Sequence, residues 1–162
     1  MLLLVFFLAL GLAAELPSDG NEVKLLRGNC PMFWYSFTGR CYKYLATDMT
    51  WAEAELYCVS QGANLVSVHS AAEDDFVKSL IKNFDPAEGR TWIGLSDLHY
   101  EKGWMWSDGS AARFFAWSAL QPDNGSEAEH CVHTNYIGDK KWNDVPCSVH
   151  YPFICVIRTT GQ

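Results

Sequence analysis

The sequence has little positive charge: 12 Lys and Arg stand against 19 Asp and Glu in 162 residues, a formal net charge of −7. That balance argues against nucleic acid, where affinity comes mainly from Lys and Arg on phosphates. It argues equally against anionic membrane surfaces. No C-x2-C pair occurs and no two His stand at i, i+4, so a structural zinc site is disfavoured. There is no G-x-S-x-G elbow, no H-E-x-x-H and no glycine-rich phosphate loop, which removes the common hydrolase, metalloprotease and nucleotide chemistries. Internal repeats, heptad runs and collagen triplets are also missing. The longest uncharged apolar run, Met1–Ala14, falls short of the roughly 20 residues a bilayer span needs. The chain is therefore expected to be neither an enzyme nor a membrane-spanning protein.

What is present is ample for a folded domain, since 49% of residues are apolar. The length suits one domain with short flanks. Residues 1–14 form an apolar core ending in small residues, which predicts a secretory signal peptide, although no Lys or Arg precedes it. Secretion would place the six Cys (30, 41, 58, 131, 147 and 155) in an oxidising compartment as bridges. Six Cys allow 15 pairings, and spacing alone selects none of them. Residues 15–29 are polar, with Pro and Gly, and are expected to be an N-terminal linker or pro-segment. The domain itself is expected over 30–158, with 159–162 as a tail.

The domain opens with aromatic runs, Phe33–Phe37 and Cys41–Leu45, around Thr38-Gly39-Arg40, predicting a hairpin. Thr50-Trp51-Ala52-Glu53 and Ser70-Ala71-Ala72-Glu73 are capping-box sequences and predict two helix starts. The first helix puts Trp51, Ala54 and Cys58 on one stripe and stops at Gly62. The second turns Phe76, Val77, Leu80, Ile81 and Phe84 inward and stops before Pro86. Short strands are expected at Leu65–Val68, Thr91–Leu95, Trp104–Trp106, Cys131–Tyr136 and Pro152–Ile157. Between Leu95 and Cys131 lies a long stretch of scattered Gly, Pro, Ser and Asp, of the length that usually carries function. The fold class is α+β: two helices packed on antiparallel sheets with a long irregular loop region. The seven Trp are read first as core, and the five His as structural, with His130 and His133 standing nearest the chemistry.

That chemistry sits in three segments: Gln121-Pro122-Asp123-Asn124, Glu129-His130-Cys131 and Trp142-Asn143-Asp144. Gln121, Asp123, Glu129, Asn143 and Asp144 supply three carboxylates and two amides, all hard oxygen donors. Ca²⁺ takes 6 to 8 such oxygens, whereas Mg²⁺ wants a stricter octahedron and keeps more water. Three carboxylates around one point repel each other without a cation, so they should be easier to protonate when it is absent. Turn formation is the plain alternative for Asp, Asn and Gly. Carboxylates explained as metal ligands also leave no free acid pair for glycoside hydrolysis.

With Trp92-Ile93-Gly94-Leu95 and the order of the six Cys, these segments resemble the C-type lectin-like domain in its long form, which carries an extra N-terminal hairpin. The resemblance covers Cys30 to Cys155, and within the family it runs closest to small secreted fish galactose-type lectins and type II antifreeze relatives. It implies bridges Cys30–Cys41, Cys58–Cys155 and Cys131–Cys147. It also implies a Ca²⁺ site at Gln121, Asp123, Glu129, Asn143 and Asp144, the same five residues contacting carbohydrate, and a cis bond before Pro122. Gln-Pro-Asp accompanies galactose in that family, and Glu-Pro-Asn mannose-type sugars. The implied partners are galactose-terminated glycans or glycoproteins, with avidity from homo-oligomers joined through the globular surface. Two departures stand out. No Trp follows Asp123, so a sugar platform would have to come from Tyr136 or another aromatic. Asp97 and Glu101 match an auxiliary calcium site, but Asn124 and His130 stand where acids are common. Asn124-Gly125-Ser126 is also the one N-x-S/T sequon. The expected function is a secreted, extracellular, calcium-dependent galactose-type lectin. The alternatives are a calcium-dependent ice-binding protein and a protein-binding module like those of snake venoms.

Overall fold

The computed structural model describes residues 24–158. The expected signal peptide, most of the N-terminal segment and the tail lie outside these residues.

A hairpin starts the domain: β1 (Tyr35–Phe37) pairs antiparallel with β2 (Arg40–Met49), Tyr35 opposite Tyr42. Thr38 and Gly39 make the two-residue turn with φ of 46° and 76°. Positive φ at both central positions matches the right-handed twist of the strands. The segment expected as a linker is engaged at its end, because Leu26 bridges Ser36 and its carbonyl accepts the Ser36 N–H at 2.6 Å.

Helix α1 (Trp51–Ser60) starts as expected. Thr50 Oγ1 accepts from the Glu53 N–H and Glu53 accepts from the Thr50 N–H, the full reciprocal cap. Its buried stripe is Trp51, Ala54 and Cys58, and Gly62 follows the helix with φ of 72°. β3 (Ala63–Leu65) is earlier and shorter than the Leu65–Val68 strand expected. Helix α2 (Ala71–Phe84) differs in two ways. Ser70 caps the Glu73 N–H at 3.1 Å, but the Glu73 carboxylate turns away to Arg40 and leaves the box half formed. Phe76, Val77, Leu80 and Ile81 are buried, whereas Phe84 is 49% exposed. Phe84 stacks at the edge on Tyr44, with centroids 5.8 Å apart.

Four further strands follow β4 (Thr91–Ser96): β5 (Met105–Trp106), β6 (Cys131–Tyr136), β7 (Lys141–Val145) and β8 (Tyr151–Ile157). The strand order is β1-β2-β8-β4-β6-β7, with β3 added on β8 and β5 on β4. The sheet is mixed rather than purely antiparallel, because β4 meets β8 in parallel at Trp92 and Phe153. Every residue of β4 is buried, and a Cβ on Gly94 would lie 2.7 Å from the Leu65 carbonyl oxygen, so the strand needs glycine there. β7 carries no alternation signal of its own, since Asn and Asp are poor strand formers. Pairing with β6 recruits it.

Helix α2 covers one apolar cluster with Tyr42, Ile93 and Trp142, and α1 covers a second with Trp92 and Phe153. All three implied bridges are formed. Cys58–Cys155 ties α1 to β8, and Cys131–Cys147 ties the start of β6 to the chain just past β7. With a sequence separation of 16, the latter is worth about 3 kcal/mol in the chain-entropy account. The long loop is sewn to β7 by Ser118 N–H to the Trp142 carbonyl and Trp142 N–H to the Ala116 carbonyl, both 2.8 Å.

Candidate functional site

Two elements present the candidate residues. In the β6–β7 pair, Cys131 faces Val145, Val132 faces Asp144 and His133 faces Asn143. Glu129 lies two residues before Cys131, at the mouth of β6. From the other side comes the loop, whose Gln121–Pro122 bond is cis, as the resemblance implied. Beyond Asp123 the backbone enters a left-handed position at Asn124, φ 47°, and then a 3-10 turn, Gly125–Glu127.

Folding brings Asp123, Glu129 and Asp144 together, each with a carboxylate oxygen within 4.8 Å of the others. Backbone donors hold two of them. Asp144 accepts the Asp123 N–H at 3.1 Å and the Asn124 N–H at 2.7 Å. Glu129 accepts the Gly125 N–H at 2.9 Å. A Cβ on Gly125 would stand 3.0 Å from the Glu129 carboxyl carbon and would press that carboxylate aside. Among the described residues no Lys or Arg forms an ion pair with these three acids. Burial raises the Glu129 pKa above its ordinary value; the Gly125 N–H opposes this, and the neighbouring Asp144 and Asp123 add to it. Asp144, fully buried, is also raised, first by burial and also by the Asp123 charge, against the N–H donors of Asn124 and Asp123.

The two amides of the expected set are placed differently. Gln121 Oε1 is buried with no hydrogen-bond partner. Asn143 is 6% exposed, and its Nδ2 lies 3.3 Å from His133 Nε2. His133 is fully buried, and that burial pushes its pKa down to about 4, so the ring is neutral.

A second group adjoins the first. Asp97, Glu101 and His130 also converge within 4.8 Å, His130 Nδ1 lying 3.0 Å from Asp97 and 3.6 Å from Glu101. Asn124 joins the two groups: its Nδ2 donates to Glu101 at 3.0 Å and its Oδ1 accepts the Glu129 N–H at 2.9 Å. The sequon nitrogen is thus already engaged. The sequence reading missed this linking role; the left-handed backbone that Asn tolerates was its only local signal.

Tyr136 is committed elsewhere, with Arg90 5.5 Å over its ring and His133 at 5.8 Å. It does not stand free as a sugar platform. Trp142 is a packing residue as expected, fully buried, and its Nε1 donates to Asp74 at 2.9 Å.

The chemistry of the first group suits a hard cation. It offers carboxylate oxygens only, and among the described residues no Lys or Arg pairs with them. Residues 47–157 match the family described as the lectin C-type domain.

The chain belongs to the C-type lectin family.

The lactose-binding lectin l-2 of Anguilla japonica is 42% identical over 147 residues, covering 88% of this chain and 87% of the relative. The galactose-specific lectin nattectin of Thalassophryne nattereri is 37% identical over 150 residues, covering 93% and 94%. Among solved structures, the herring type II antifreeze protein superposes with a TM-score of 0.75 at 35% identity, covering 81% of this chain and all of its own. C-type lectins are a carbohydrate-binding, non-enzymatic family, in keeping with the missing catalytic motifs. The two-helix, mixed-sheet architecture is that of the family. Among the described residues no helix is long and apolar enough to cross a membrane.

Proposed function

We propose that this C-type lectin is secreted, depends on calcium and prefers galactose-type sugars. Gln121, Asp123, Glu129, Asn143 and Asp144 would serve as metal ligands and as sugar contacts. The observation that carries the proposal is the convergence of Asp123, Glu129 and Asp144 without a Lys or Arg partner, on a loop where Gln121, two residues before Asp123, keeps a buried Oε1 with no hydrogen-bond partner. A buried polar oxygen without a partner costs about 1–3 kcal/mol, and mutual repulsion adds to it. One divalent cation would relieve both.

A cation held by these residues would offer the coordination positions that sugar hydroxyls can take. The side chains decide which sugar fits. A carboxylate accepts a hydroxyl proton, whereas an amide N–H donates to the hydroxyl oxygen. With the amide at Gln121 and the acid at Asp123, the donor–acceptor order is the reverse of an acid-then-amide pair. The names of the eel and toadfish relatives, lactose-binding and galactose-specific, support the same sugar class. Three bridges and the apolar N-terminal run support secretion. A single shallow site binds weakly, so useful avidity would come from homo-oligomers on galactose-terminated glycans.

The test is retention on immobilised galactose in calcium, with elution by chelator or by free galactose. Folded, calcium-loaded protein that flows through would sink the sugar assignment. The double change Gln121→Glu with Asp123→Asn is expected to move inhibition from galactose toward mannose. An unchanged sugar order would count against the tripeptide argument. The herring antifreeze likeness favours one second reading, binding to ice at the same loop. Thermal hysteresis in cold droplets that disappears with chelator would support it.

A further inference from the structure

An Asn ligand has two ends of nearly equal shape, and only its carbonyl oxygen can meet a cation. A flipped Asn143 would aim its NH₂ at the metal, removing one ligand and adding a repulsive dipole. Something must therefore select one orientation.

We infer that His133 is a positioning residue, which locks the Asn143 amide with its NH₂ inward and so frees Oδ1 for the cation. The inference rests on the calcium reading of the site. His133 stands directly opposite Asn143 in the β6–β7 register. His133 Nδ1 lies 2.9 Å from the Thr134 carbonyl oxygen. A carbonyl only accepts, so Nδ1 carries the proton. The neutral ring then has a bare lone pair on Nε2, and that atom faces Asn143 Nδ2 at 3.3 Å. Only the NH₂ end satisfies a lone pair; the flipped amide would set oxygen against nitrogen, acceptor against acceptor. The ring cannot easily turn to escape, because Tyr151 packs on it at 5.2 Å and Tyr136 at 5.8 Å. The same contact accounts for an amide at position 143, since a carboxylate there would have no proton to offer Nε2.

Outer partners that orient a metal ligand typically change affinity by about 10–100-fold when removed. Two variants separate orientation from packing. His133→Phe keeps a ring and loses the acceptor, whereas His133→Gln can return an acceptor oxygen near the Nε2 position. Calcium affinity is measured by calorimetry on the full chain, with melting in chelator as the folding control. The expected result is a loss of about tenfold or more for His133→Phe and recovery to within about threefold for His133→Gln. Unchanged affinity in folded His133→Phe, or equal losses in both variants, would overturn the inference. A second measurement needs neither mutation nor metal. Two-bond ¹⁵N–¹H correlation spectra of the chelated wild-type protein report the histidine tautomer, and Nδ1–H is expected. An Nε2–H signature at His133 would overturn the role even if calcium binds. Wild-type protein that binds no calcium would instead sink the reading on which the inference rests, and the role with it.

Discussion

Two regions of the molecule gather acids, and they treat them in opposite ways. Around the start of α2, each buried acid has a donor or a base. Glu73 accepts from Arg40 at 2.6 Å and from the Tyr42 hydroxyl at 3.2 Å. Asp74 accepts from Trp142 at 2.9 Å and pairs with Lys78 at 3.0 Å. Asp108 takes hydrogen bonds from Ser67 and Ser110; burial pushes its pKa up, but these bonds and Arg40 outweigh it and the net shift is down. In the loop site, Asp123, Glu129 and Asp144 face one another with only main-chain N–H groups beside them, and Glu129 and Asp144 shift up. Acids that hold a fold together are supplied with partners by the chain. Acids left without them repel one another, which is what the proposed cation would relieve.

The largest expected effect distinguishes the regions directly. Calcium at about a hundredfold over its dissociation constant should add about 2.7 kcal/mol to stability, reversed by chelator, in urea melts. No shift would mean that the crowded acids are satisfied already, and the contrast would collapse. Next, Arg40→Met should cost about 2 kcal/mol by leaving Glu73 buried beside only a tyrosine hydroxyl, a cost discounted for partial exposure. The same loss is expected with and without calcium; a calcium-dependent loss would show the regions to be coupled. Smaller and of opposite sign, Glu129→Gln in chelator should raise stability at neutral pH by less than about 1 kcal/mol while abolishing the calcium effect. Destabilisation in chelator would refute the repulsion argument.

The smallest effect is the pH dependence. Glu129 and Asp144 have raised pKa values in the metal-free fold, so they bind protons the unfolded chain has released. Their favourable contribution is present below the ordinary carboxylate range and is lost as pH rises through the raised values. Asp108, lowered, behaves in the opposite way, contributing above its ordinary value and losing that contribution as pH falls. In chelator, the stability gap between wild type and Glu129→Gln should close on acidification to about pH 4. The gap opened by Ser110→Ala, which removes the Ser110 hydroxyl bond to Asp108, should persist at that pH and close only as pH falls further, below the ordinary carboxylate value. Gaps that stay constant with pH would show that these carboxylates are not what separates the regions.

Features carried by neighbours in sequence were legible. The Thr50–Glu53 cap formed because both partners lie within one turn. The buried stripe Trp51, Ala54, Cys58 followed from helical spacing alone. The hairpin turn at Thr38-Gly39 was legible for the same reason. Ser70–Glu73 has the same local pattern, yet Arg40, 33 residues away, took the carboxylate from the cap. A charged partner in a half-buried setting outcompetes a cap bond to one N–H. Phe84 fits the inward stripe by spacing, but it lies on the last turn, beyond the reach of the core, and settles on Tyr44. β7 was invisible to alternation because Asn143 and Asp144 are poor strand formers, and only pairing with β6 places them in the sheet.

In the candidate site the donor set was read from the chain, and the implied bridges were found. Adjacency was not available by spacing alone, nor was the commitment of Tyr136 to Arg90 and His133.

The sequence by itself determined the kind of chemistry: hard oxygens in three short segments, a cysteine frame, acids in excess of bases. Side-chain types and near neighbours decide those properties, and both are written in the order of residues. The tertiary structure alone decided that Asp123, Glu129 and Asp144 converge without a base. It also set Asn124 between two clusters and the Asn143 amide against His133 Nε2. Those outcomes depend on contacts between segments far apart in the chain, in which a hydrogen-bond partner is chosen by competition among everything the fold brings near.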